Sequence, residues 1–121
     1  MSLISLEYSD ENAKKHKLEF SEALIKEPYK KESLFVIKVD GESMQPLISD
    51  KALVVADLSQ TSIVNESIYL VYQNSKMWIK KAKIENGITT FISINKNFSH
   101  LIFSQEESRV IAKAVLTFTN L

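Results

Sequence analysis

The sequence predicts a mainly β fold of antiparallel strands, preceded by a short N-terminal arm that carries one short helix. Two observations predict it. From Leu34 to Phe118, β-branched and aromatic stretches of strand length recur between polar turns, the pattern of an antiparallel β domain. Before Leu34 the chain is polar and rich in Lys and Glu, which marks residues 1–33 as an arm and 34–121 as the folded domain.

Within the arm, FSEALIKEP predicts a helix of barely two turns. Ser21 is its N-cap, Phe20 and Ile25 occupy the two positions of a hydrophobic staple, and Pro28 blocks continuation. The first three residues carry no pattern that the fold needs and read as an expression remnant. In the domain, strands are predicted at 34–40, 52–56, 67–73, 76–84, 88–94 and 109–118. Asn74-Ser75 and Asn86-Gly87 predict hairpins between the third, fourth and fifth of these, the second more strongly because glycine tolerates a positive φ.

Composition narrows the function. The chain has 121 residues, 45% of them hydrophobic, and balances 15 basic against 15 acidic side chains, so one soluble domain with no global attraction to nucleic acid is expected. The arm is too short for a three-helix DNA-binding head, so DNA contact is expected only through a missing N-terminal domain. No apolar run reaches membrane-spanning length and no signal peptide is legible, which predicts no membrane contact and a cytoplasmic location. There is no cysteine, and His16 and His100 stand alone in sequence; no metal site and no cofactor are expected.

Ser43 lies in VDGESMQPLI, directly after the first strand of the domain, where Gly41 and Pro46 favour a sharp turn. A serine hydroxyl needs a base within hydrogen-bond reach and backbone N–H groups aimed at the developing oxyanion. Neither histidine is placed to serve, which leaves lysine. In KMWIKKAKI, strand alternation puts Lys80 on one face with Trp78, Ala82 and Ile84, and Lys81 on the other with Lys83. Lys80 is therefore the better candidate for a buried amine with a lowered pKa. The residues alone also fit a turn serine and a snorkelling strand lysine.

FVIKVDGESMQPLI, MWIKKAKI, FISINKNF and RVIAKAVLTF occur in this order. With them the stretch Leu34–Phe118 resembles the self-cleaving peptidase domain shared by LexA, lambda-type phage repressors and the UmuD proteins, itself related to bacterial signal peptidases. The first block resembles that family's V-x-G-x-S-M-x-P, with Gly41, Met44 and Pro46 as motif support. The second resembles its lysine strand, and the third its S-x-N-x-x-Y/F block through Ser93, Asn95 and Phe98. The resemblance implies a strongly bent, signal-peptidase-like β fold in which Lys80 takes the proton of Ser43, with backbone N–H groups of Ser43 and Glu42 as oxyanion donors. It further implies autoproteolysis of a linker in a transcriptional regulator, a homodimer, and a RecA filament as the trigger. RVIAKAVLTF alternates imperfectly and carries apolar residues on both faces near the chain end, which predicts the dimer contact around Arg109–Phe118.

The departures are specific. Where the family usually has Gly-Asp, this sequence has Lys51-Ala52 and Glu66-Ser67, and its final-strand glycine is Ala112. The Ala-Gly or Cys-Gly bond that the family cleaves is absent, since Gly41 and Gly87 both follow other residues. Two other readings are therefore carried: a non-cleaving dimerisation or sensing module, and a UmuD-like accessory of a DNA polymerase.

Overall fold

The computed structural model describes residues 2–121. Nine strands form two antiparallel sheets: β1 (Leu3–Ser9), β2 (Lys15–Ser21), β3 (Leu34–Lys38), β4 (Leu53–Asp57), β5 (Ile68–Gln73), β6 (Lys76–Glu85), β7 (Ile88–Ile92), β8 (Phe103–Ser104) and β9 (Arg109–Phe118). β1 and β2 pair alone, and the other strands form one sheet in the order β3-β4-β9-β5-β6-β7-β8. The mainly β expectation holds. The six strands expected after Leu34 are present, with some ends that differ by one or two residues.

The arm corrects the expectation of a helix. Residues 3–21 form a hairpin, in which Ile4 faces Phe20, Leu6 faces Leu18 and Tyr8 faces His16. These apolar residues recur at every second position, the period of a strand. Asp10 closes the turn: its Oδ1 accepts from the N–H groups of Asn12 and Lys14 at 2.9 and 3.0 Å. Ser21 does act as a cap, accepting from Ala23 N–H at 3.2 Å, but it opens only a single 3-10 turn, Glu22–Leu24. No α-helix occurs among the described residues. Leu3 opens β1 and the Ser2 carbonyl accepts from Glu22 N–H, so these residues are used by the fold.

Three apolar clusters fill the molecule. The hairpin's Ile4 and Phe20 pack with Ile25, Leu34, Val36 and Val55. Tyr69, Val71, Ala82, Phe91 and Phe103 form the second, with Trp78 against it. Met44, Ile48, Ala52 and Val54 form the third, joined by Ile37 of β3 and Ile79 of β6. In a flat sheet β3 and β6 would stand about 19 Å apart at four strand spacings. Their meeting in one cluster means that the sheet curls, and register shifts at Val55/Ala56 and Leu70/Val71 are the bulges that bend strands this way.

Both expected hairpin turns form, with positive φ at Asn74 and Ser75 and at Asn86 and Gly87. Of the three positions where glycine was missing, Ala112 sits in regular β9, and the other two keep a glycine-like backbone. Lys51 and Glu66 have φ of 71° and 73°, held by backbone bonds from Lys51 N–H to Val39 and from Glu66 N–H to Ala82. Glu66 is also clamped by Lys81 and Lys83, whose hydrogen bonds pull its carboxyl down to about 2. Asp57 ends β4 fully buried. Burial alone would raise its carboxyl, but donors from Gln60, Ser59 and Lys30 outweigh that and hold it below the usual range.

Candidate active site

Ser43 leaves β3 on a tight turn. Gly41 has φ +112° with open space where a Cβ would sit, so the requirement for glycine there is torsional. Its N–H donates to Asp50 Oδ1 at 2.8 Å. Met44 and Ile48 anchor the turn from below as buried members of the third cluster, and the Gln45–Pro46 peptide is cis. The remaining motif residue, Glu42, is exposed at the lip. Asn95 ties the turn to the far side of the site, with its N–H on the Ser43 carbonyl and its Nδ2 on the Glu42 carbonyl, both at 2.9 Å.

Lys80 is fully buried, as is Ala82 beside it, whereas Lys81 and Lys83 reach Glu66 at the surface. The strand alternation thus separates the three lysines as expected. Lys80 Nζ lies 2.9 Å from Ser43 Oγ and 3.0 Å from Ser93 Oγ. The structure brings the two predicted site residues together.

Two aromatic rings wall the amine. Nζ stands 5.2 Å from the Trp78 ring centroid and 5.9 Å from that of Phe103, contacts that favour a cation. Burial acts the other way and lowers the amine from the usual 10.5 to about 8, because an ammonium loses hydration there. At neutral pH a measurable fraction is therefore neutral and can accept a proton.

A cleft of about 280 Å³ runs alongside. Ile37 to Ser43 form one wall, and Met77, Trp78, Ile79, Phe98 and Leu101 complete an apolar lining. β3 is an edge strand of its sheet. Val39 exchanges backbone bonds with the β4 side, through Ala52 and Lys51. By alternation the backbone groups of Lys38 and Asp40 point away from β4, toward whatever enters alongside. Among the described residues no acceptor meets the N–H of Glu42 or Ser43.

The histidines lie elsewhere. His16 binds Asp10 at 2.8 Å in the hairpin, and His100 stacks on Phe98. Ser93 is the site residue that sequence reasoning noted only as part of a motif. Its signal was its place in FISINKNF, one residue past β7.

Residues 4–115 match a protein family described as Peptidase S24-like, a stretch that includes the N-terminal hairpin. A 67-residue segment, 55% of the chain, is 34% identical to a protein of Haemophilus influenzae described as an uncharacterized HTH-type transcriptional regulator. That segment spans 28% of the relative's length.

Proposed function

The chain belongs to the Peptidase S24-like family, and on that footing we propose that it is the peptidase and dimerisation domain of a transcriptional regulator, with Ser43 as nucleophile and Lys80 as base. The observation that carries this reading is the 2.9 Å contact between Ser43 Oγ and a buried amine lowered to about 8. The neutral amine takes the Ser43 proton as the oxygen bonds to a peptide carbonyl carbon. The resulting ammonium then returns the proton to the departing amine, and water releases the acyl group by the same route. The free N–H groups of Ser43 and Glu42 are the donors that support the oxyanion. The substrate lies extended beside β3, where Lys38 and Asp40 offer backbone pairing and the cleft takes apolar side chains.

The relative described as an HTH-type regulator supports a DNA-binding domain in the same polypeptide; the RecA filament as trigger and the cytoplasmic setting enter this reading from the family resemblance and the sequence alone. No helix among the described residues is long and apolar enough to cross a membrane. Self-association uses β9. Its residues 114–118 pair with β4 on one side only, since β5 begins at Ile68 and pairs with Arg109–Lys113.

The test uses a peptide with an Ala-Gly bond in an extended apolar stretch, incubated with the wild type, Ser43→Ala and Lys80→Ala across pH 6 to about 10. The wild type should cut it, with a rate that rises with pH through about 8 and then levels, and both variants should be inert. The chain should not cut itself, as it holds no Ala-Gly or Cys-Gly bond. If the wild type is as inert as its variants, with activated RecA present, a non-cleaving dimerisation or sensing module replaces this reading.

A further inference from the structure

Lys80 meets two serine hydroxyls, and the proposed nucleophile is only one of them. Ser93 follows β7 directly, and its Oγ lies 3.0 Å from Nζ, almost as close as Ser43 Oγ at 2.9 Å. A neutral amine carries two N–H bonds and one lone pair, and it can accept the Ser43 proton only when the lone pair faces Ser43 Oγ. Rotation about the terminal carbon–nitrogen bond offers three staggered settings, one of which is productive. An acceptor that holds one N–H selects among them, and a serine hydroxyl has lone pairs to do so. Among the described residues no carboxylate pairs with Nζ, and the aromatic walls of Trp78 and Phe103 offer no directional acceptor.

The same segment holds the other partner. Two residues on, Asn95 donates to the carbonyls of Ser43 and Glu42. The short run from Ser93 to Asn95 therefore grips the base through one side chain and the nucleophile's turn through the next. We propose that Ser93 is a positioning residue for the Ser43–Lys80 pair: its hydroxyl accepts an N–H of Lys80 and so turns the amine lone pair toward Ser43.

This inference rests on the peptidase reading above and makes a directional claim of its own. A hydroxyl accepts more strongly from an ammonium than from a neutral amine, so Ser93 also favours the charged form. Removing it should lower the rate and lower the midpoint of the pH profile together. A substitution that merely loosened the site and admitted water would raise the midpoint instead, toward that of a hydrated lysine.

The experiment measures kcat, KM and the pH profile for the added peptide, with NMR titration of 13C-labelled Lys80, in the wild type, Ser93→Ala, Ser93→Thr and Ser43→Ala. Ser93→Ala should lose about tenfold in kcat with KM unchanged. Its Lys80 midpoint should fall below the wild-type value, and Ser93→Thr, which keeps the hydroxyl, should restore both. The labelled spectrum also shows that each variant is folded. An active wild type whose Ser93→Ala variant keeps its kcat, or whose Lys80 midpoint rises or stays, overturns this inference alone. A wild type as inert as Ser43→Ala overturns the peptidase reading, and the inference with it.

Discussion

Burying an amine makes its charged form the costly one, and Lys80 shows this in two measurable ways. Because its midpoint drops from 10.5 to about 8, the cost is fully present below pH 8, where folded and unfolded chains are both protonated. Between about 8 and 10.5 the unfolded chain still binds the proton while the folded one does not, so stability rises with pH in that window. Lys80→Met removes the amine and keeps an apolar stem. It should stabilise the protein at pH 7 by about 1–3 kcal/mol, the relief of desolvation reduced by the worth of the two serine hydrogen bonds. Denaturant melts at pH 7 and at about 10 check this, and the gap between variant and wild type should narrow at the higher pH. A less stable variant at pH 7 would mean that the contacts with Ser43, Ser93 and the rings outweigh burial. Lys80 was legible in sequence because a strand exposes a two-residue period, which separated it from Lys81 and Lys83. Its contact with Ser43 was not legible from spacing, since no local pattern reports a contact across 37 residues.

At the scale of elements, the hairpin shows how composition can mask a period. KHKLEFS places His16, Leu18 and Phe20 on one face and Lys15, Lys17 and Glu19 on the other, and only Phe20 is buried. A strand with one wet face is half charged by design, and here those charges read as a solvated arm. The cap at Ser21 was identified correctly, yet a cap marks only where a turn starts; the segment behind it lacks the length to propagate a helix. The turns at Asn74-Ser75 and Asn86-Gly87 were legible because the positive φ demanded there selects few residues, whereas Lys51 and Glu66 adopt it against type, supported by contacts that sequence does not display. The hairpin's docking has an energetic consequence. Phe20 is 5% exposed and sits 5.6 Å from Phe118 between ring centroids, so Phe20→Ala should cost about 3–5 kcal/mol in a denaturant melt. A loss under about 1 kcal/mol would show that the hairpin adds little to the stability of the larger sheet.

For the whole molecule, what matters is where the large sheet remains open. Its outermost strands are β3 and β8, and β3 borders the cleft beside Ser43. A third opening lies in its interior, along the second half of β9. Val39 N–H bonds to the Ala52 carbonyl, so by alternation Leu53 and Val55 turn their backbone groups toward β9, where they meet Phe118 and Leu116. Thr117 then points its N–H and carbonyl away from β4, past the end of β5, and its side chain is exposed. Leu47, Ile48, Ile68 and Val115 line an apolar crevice at that point, with Leu47 52% exposed. A two-fold pairing of this half-strand with its copy would close the edge and cover the crevice at once, the self-complementary arrangement that a homodimer requires. Thr117→Pro tests it with little cost to the monomer, because proline is tolerated where a strand's N–H faces outward but cannot join a new ladder. The wild type should sediment as a concentration-dependent dimer. Thr117→Pro should sediment as a monomer, with a melting temperature that no longer rises with protein concentration. If the variant dimerises as the wild type does, the contact lies elsewhere, and the open half of β9 is not what brings two copies together.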